Sequence, residues 1–395
     1  MNSGADSLSL NSYDETPLDV AAFGRRLWEC PEDWFFDLNT PIENFKPSHF
    51  QIACTLGSIL GNLMRIAQHI LDNVNSNTLR MNFVNCRDDA GRTPLHSIFL
   101  QHSAQTNDEI YVIRLLIENG ANVNARDCEL QTPLHFLSDD VESEAVKHLI
   151  KNGADVNAQN LYGETPLHSS FAFQAERSVI DSRLNDPEVI SLFLENGADI
   201  NIVDERGRTW LMINLEDLDR LNYDYNGEPA PDTPGIISSV ILRHVKKWML
   251  IESHVSAQNV NVFYILRSRY RDFYDDDDFS GECKKELTLM KVTRIDRYTT
   301  LHDILLRNSN FMTFHCENET LQTMMESVEF NEKFPNYGFL VKLQVKKGKI
   351  RRPLVKISKT VLPHLFDRNL PPLCLEIILQ YLSDTDLESI ISSQL

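Results

Sequence analysis

One phrase, written three times and begun a fourth, constrains this chain more than anything else in it. Gly91-Arg-Thr-Pro-Leu-His96 leads to Leu115-Leu-Ile-Glu-Asn-Gly-Ala-Asn-Val-Asn124. Gln131-Thr-Pro-Leu-His135 leads to Leu149-Ile-Lys-Asn-Gly-Ala-Asp-Val-Asn157, and Gly163-Glu-Thr-Pro-Leu-His168 to Leu192-Phe-Leu-Glu-Asn-Gly-Ala-Asp-Ile-Asn201. A fourth copy opens at Gly207-Arg-Thr-Trp-Leu211 and decays. Thr-Pro starts a helix, because the Thr can cap free backbone N–H groups and Pro suits the first turn. A second helix follows, with Val112, Leu115 and Leu116, then Val146, Leu149 and Ile150, then Val189, Leu192 and Phe193 at helical spacing. Gly120, Gly153 and Gly197 end those helices where a left-handed residue is needed. The Asn/Asp-rich tail then turns outward as a hairpin. No copy buries its apolar face alone, so neighbours must stack.

This phrase resembles the ankyrin repeat. Thr132 and Thr165 are 33 residues apart, the period of that family. Thr93 to Thr132 is 39 and Thr165 to Thr209 is 44, so 6 and 11 residues are inserted, near 101–108 and 172–186. A degenerate copy precedes the clear ones. Phe50, Ile52 and Ala53 stand at first-helix positions, Leu63, Ile66, Ile70 and Leu71 form a stripe, and Asn82-Phe-Val-Asn85 ends it. Further on, 222–235 reads as a loop, 236–251 as a helix, 253–259 as a worn hairpin and 262–270 as another helix, closing the stack. Residues 275–278 read as a solvated acidic run.

Size and charge narrow the function classes. The chain has 395 residues, 42% of them apolar, which allows more than one core. Its 38 basic and 57 acidic residues leave a net charge of −19, which argues against nucleic acid or an anionic membrane as partner of the whole molecule. Seven isolated cysteines, with no Cys-x-x-Cys, suit a reducing compartment and argue against a zinc site. The first residues show no signal peptide, and no apolar run is long enough to span a bilayer, so a cytoplasmic location is expected, with the nucleus as a second one.

The tail reads as a second module. Cys283-Lys-Lys-Glu-Leu-Thr-Leu-Met290 opens it, a helix is expected from 319 to about 330, and 339–345 alternates as a strand would, with Gly348 and Pro353 as breakers. Leu375, Ile378, Leu379 and Leu382 fall on one helical face, and Ser383 or Asp384 can cap a last helix bearing Leu387. Leu370-Pro371, Tyr381-Leu382 and Asp386-Leu387 match the F-box pattern, although Leu373 stands where an acidic residue is usual and the third F-box helix is missing. Ankyrin repeats, the Cys-x-x-Glu-Leu-x-x-Met segment and this terminus together resemble the PRANC proteins of poxviruses, parasitoid wasps and their intracellular bacteria.

The expected fold is all-α: an ankyrin-repeat solenoid of helix pairs with β-hairpin fingers, followed by a small helical F-box-like domain. The expected boundaries are 1–47 for an N-terminal tail and cap, 48–270 for the repeats (clearest at 89–209), 271–282 for an acidic linker and 283–395 for the PRANC-like domain, with its truncated F-box at 370–395. No catalytic, cofactor or metal site is expected; His96, His135 and His168 read as bonded to the adjacent hairpin backbone. The resemblance implies two docking sets. Hairpin tips would bind a target protein, with Arg92, Glu129, Gln131, Leu161, Tyr162, Glu164, Glu205, Arg206 and Arg208 as candidates. Leu370, Pro371, Leu375, Ile378, Leu379, Leu382 and Leu387 would recruit the S-phase kinase-associated adaptor of a cullin ubiquitin ligase, directed at host signalling. The alternative is a stoichiometric blocker of the NF-kappa-B inhibitor type. The stretch 342–359, with eight basic residues and no acidic one, reads first as a solvated helix or strand face and, in a third reading of function, as a nuclear signal or a nucleic-acid site.

Overall fold

The Thr-Pro pairs of the repeats do begin helices, and at Thr93 and Thr132 the start is set by the histidine three residues on. The structure is a computed structural model, which describes residues 50, 54, 61–74, 76–99, 107–137, 143–172, 187–221, 233–251, 255–270, 276–306, 309–365, 372–382 and 384–392. Helix α1 spans Gly61–Asn73, α2 Asn77–Val84, α3 Pro94–Ile98, α4 Asn107–Glu118, α5 Ser143–Lys151, α6 Pro166–Ala172, α7 Pro187–Glu195 and α8 Trp210–Leu221. In the second copy the first helix shrinks to a 3₁₀ turn, Pro133–Phe136. Val112, Leu116, Val146, Leu149, Ile190 and Phe193 are buried, as their spacing requires. The chain divides into two compact units, after Ile237.

Two kinds of side-chain cross-link hold successive copies of the first unit together. His96 Nδ1 accepts the Thr93 N–H at 3.0 Å, and His135 Nδ1 accepts the Thr132 N–H at 3.0 Å. This is a capping box in which histidine takes the place usual for Glu or Gln. A backbone N–H only donates, so Nδ1 is unprotonated and Nε2 carries the hydrogen. Nε2 then donates to the next copy, to the Gln131 carbonyl from His96 and the Glu164 carbonyl from His135, both at 3.1 Å. The expected histidine role thus holds for these two. His168 Nε2 has no partner within hydrogen-bonding geometry.

The second link was not foreseen. Asn85 Nδ2 donates to the Gly120 carbonyl while its Oδ1 accepts from Asn122 N. Asn124 does the same toward Gly153 and Asp155, and Asn157 toward Gly197 and Asp199. Each amide bridges both sides of the next helix-ending glycine, which explains why the hairpin phrase ends in Asn.

The second unit, 238–395, comprises most of α9 (Thr233–Leu250), then α10 (Ala257–Arg269), α11 (Asp276–Val292), α12 (Leu301–Leu306), α13 (Ser309–His315), α14 (Glu319–Glu326), α15 (Val328–Lys333), α16 (Gly338–Leu365), α17 (Pro372–Tyr381) and α18 (Asp384–Ser392). Several expectations are corrected here. Helices α9 and α10, read as closing the repeat stack, fall in or largely in this unit. The worn hairpin is in part the start of α10, where Ser256 Oγ accepts from Asn259 N. The acidic linker is helical from Asp276. The helix expected at 319–330 breaks at Ser327, whose backbone is extended. The strand expected at 339–345 lies in α16, and neither Gly348 nor Pro353 stops that helix. Gly348 is there for contact: a Cβ would lie 2.6 Å from the Met312 carbonyl oxygen of α13. Pro353 is exposed, so the carbonyl it deprives of a partner can turn to water.

The Cys-x-x-Glu-Leu-x-x-Met segment has a structural account. Cys283, Leu287 and Met290 lie on the buried face of α11. Glu286 accepts from the N–H groups of Asn336 (2.9 Å) and Tyr337 (2.7 Å), holding the turn that starts α16. Burial raises the Glu286 carboxyl above its ordinary range.

Among the described residues β structure is limited to two isolated antiparallel bridges, Val203 with Thr209 and Arg294 with Thr300. Each joins residues six apart, and a helix follows each, from Trp210 and from Leu301. Thr300 N also donates to Asp303, as Thr93 N donates to His96. Sequence reading missed the 294–300 finger because Asp303 replaces the histidine and no Thr-Pro marks it.

Candidate functional site

The finger tips are built by one side chain each. Asp88 Oδ1 accepts from the N–H groups two and four residues on, Ala90 and Arg92. Asp127 does so with Glu129 and Gln131, Asn160 with Tyr162 and Glu164, and Asp204 with Arg206 and Arg208, all at 2.8–2.9 Å. The turns need a left-handed residue, supplied by Gly91 (φ 74°), Gly163 (72°) and Gly207 (73°). In the second finger the position is Leu130 (φ 60°), the one non-glycine with positive φ among the described residues.

A backbone ladder then joins the tips. Cys128 N donates to Ala90 O, Leu161 N to Glu129 O and Glu205 N to Tyr162 O, each at 2.9 Å. Four tips therefore stand in fixed register, and their side chains project from a row of satisfied backbone.

The structure sorts the candidate tip residues. Leu161 and Tyr162 are each 50% exposed, and Glu129, Glu205 and Arg206 are exposed. Arg92 and Arg208 each pair at 2.7 Å with the aspartate of their own turn, Asp88 and Asp204, which braces the finger and leaves both side chains partly exposed. Gln131 and Glu164 are half-buried, their carbonyls accept from His96 and His135, and the Glu164 carboxylate accepts from Asn160 Nδ2. Leu130 and Val203, exposed and apolar at the tips, were missed. A Leu where the sister copies have Gly was the available signal for the first.

Burial lowers the basicity of all three repeat histidines below the ordinary imidazole range, His135 to about 4. His96 and His135 are neutral structural links between copies, and His168 is bonded through Nδ1 within its own copy, to Thr165. No cluster of three or more His, Cys, Asp or Glu side chains among the described residues has metal-holding geometry. None of the described helices is long and apolar enough to cross a membrane.

The terminal helices present a different picture from the open face expected. Leu379 and Leu387 are buried in a cluster with Val355 and Leu362 of α16, so both are core residues; this corrects their place in the docking set. Leu375, Ile378 and Leu382 pack partly against that cluster and stay half-exposed. Tyr381 is 85% exposed. Leu370 and Pro371 lie outside the described residues, as do 1–49 and most of the two inserts. The physical reason is Arg351. Buried in α16, it donates to the carbonyls of Leu379 (3.0 Å) and Leu382 (2.6 Å) and pairs with Asp384. It closes the end of α17, holds the start of α18, and seats both on α16. As a member of the supposed nuclear signal, Arg351 is therefore also corrected.

Family models place the repeats. Ankyrin repeats in three copies match residues 50–160, and a further ankyrin repeat matches 162–205. The match begins inside the degenerate copy. No curated protein matches the chain.

Proposed function

We infer, from a chain that carries ankyrin repeats over residues 50–160 and 162–205, that it is a non-catalytic adaptor which grips one protein with its fingers and presents a second docking surface at α17 and α18. The protein-binding role rests on one observation above others: four tips locked in register by a backbone ladder, with Leu161, Tyr162, Glu205 and Arg206 projecting. Aromatic and Arg side chains on a rigid support suit interface anchors. The second surface is read as a site for the S-phase kinase-associated adaptor of a cullin ubiquitin ligase. Its support is the F-box-like pattern, the half-exposed Leu375, Ile378 and Leu382, and the exposed Tyr381.

One observation favours the alternative, a stoichiometric blocker of the NF-kappa-B inhibitor type. Leu379 and Leu387 are buried, so the terminus also works as a lid on α16. Affinity capture separates the two. The full chain, a chain ending at Arg368, and the point variant Tyr381→Ala are compared for recovery of the cullin complex. Recovery by the full chain alone, weakened in Tyr381→Ala, supports the adaptor. Equal recovery by all three, or by none, leaves the blocker. A Tyr162→Ala, Arg206→Glu variant that keeps cullin recovery and loses its target supports the division of labour.

A further inference from the structure

Helix α16 carries eight basic residues and no acidic one, and the structure divides them into two kinds. Arg351 is buried against α17 and α18, Arg352 meets Glu317, Lys359 lies over the Phe314 ring, and Lys342 bonds Asn331. Lys346, Lys347, Lys349 and Lys356 are exposed and have no acidic partner among the described residues. On the same outer face Ile350 is 54% exposed and Ile357 43%, with exposed Pro353 between them. At 3.6 residues per turn, positions 346, 349, 350, 353, 356 and 357 share one side of the helix, and the two isoleucines stand about 10 Å apart along it. The face thus has an apolar centre and a cationic rim, on a molecule of net charge −19.

We infer that this face of α16 docks an acidic amphipathic helix of a partner protein. Two apolar side chains, two turns apart, would meet Ile350 and Ile357. Flanking carboxylates would meet Lys346, Lys349 and Lys356. Charge complementarity selects this occupant. Like charges at helical i, i+3 spacing repel one another, and facing carboxylates relieve that. The apolar centre argues against a nucleic acid, since isoleucine offers nothing to phosphate. Two half-exposed isoleucines offer little apolar area to an anionic bilayer, whose hold on a helix face grows with the area it buries. The inference is independent of the finger tips and of α17–α18.

The test uses the full chain and fluorescence anisotropy. The probe is a labelled synthetic helix with two leucines seven residues apart, flanked by glutamates. Controls are the same helix with lysines, a random single-stranded DNA oligonucleotide, and phosphatidylserine-containing vesicles. The glutamate helix is expected to bind saturably. Its affinity is expected to fall about tenfold as salt rises from roughly 50 to 300 mM, and by a similar factor in Lys349→Gln/Lys356→Gln and in Ile350→Ser/Ile357→Ser. Both double variants lie on the surface and are expected to melt as the parent does. Absence of saturable binding, binding indifferent to both double variants, or tighter retention of the oligonucleotide or the vesicles would overturn the proposal.

Discussion

At the scale of single residues, Leu130 is the position where the fold and the sequence disagree most. A leucine at φ 60° carries a strain of roughly 1–2 kcal/mol that glycine escapes. Part of that relief is offset by the larger entropy glycine loses on folding. Leu130→Gly is therefore expected to stabilise the chain by about 1 kcal/mol, read as a raised urea midpoint with unchanged slope. If the strained side chain serves contact, the same variant weakens target capture while the protein grows more stable. The repeat histidines make the second residue-scale prediction. Their folded-state pKa values lie below the unfolded value of about 6.5, so the unfolded chain takes up protons first. Their contribution is complete above that pH and is lost as pH falls through the folded values, which for His135 is about 4. For His135 alone this amounts to about 3 kcal/mol. His135→Gln is expected to flatten the acid limb of a stability-against-pH curve; an unchanged limb would remove histidine from the account.

Between elements, close approach and buried polar clamps decide more than propensity does. Ala is favoured over Gly inside a helix by about 1 kcal/mol, so Gly348→Ala ought to help α16. Its new methyl would meet Met312 backbone at 2.6 Å, which has no flexible end to yield. A net loss of about 1–3 kcal/mol is expected, seen as a lower melting temperature; a gain would show that α13 gives way easily. Arg351→Met removes the donors that hold the Leu379 and Leu382 carbonyls. Asp384 is partly exposed and can turn to water, which softens the cost to about 2–3 kcal/mol. Hydrogen exchange of α17 and α18 amides should accelerate while that of α13 stays slow. Neither device was legible beforehand. Gly348 and Pro353 are ordinary breakers by local rules, and Arg351 is one cation among eight.

On the scale of the whole molecule, charge sets the working range. With net charge −19 near neutrality the chain repels its own copies, and that protection vanishes near the isoelectric point of about 5.0. The same pH lies inside the window where the repeat histidines lose their contribution. Turbidity is expected to rise steeply between pH 6 and 5, about where far-UV ellipticity begins to fall; a clear solution with native ellipticity at pH 5 would contradict both terms. The repeats were legible as fold and as interaction module because their signals are local: Thr-Pro, the glycine stop and the 3.6-residue apolar stripe each act within a few residues. The boundary after Ile237 was not, since it depends on which helices bury one another.

By itself the sequence determined the helix pairs, the fingers and the layering, because period, caps and apolar spacing leave a chain of this kind no other way to cover its greasy faces. Tertiary structure decided what is available to a partner. The terminal helix pattern is compatible with an open face or a buried one, and Arg351, twenty-eight residues before Leu379, closes it by reaching two carbonyls that no local pattern marks. The same packing turned four lysines and two isoleucines of α16 outward. Exposure is a property of pairs of elements, and pairs form only when the chain has folded.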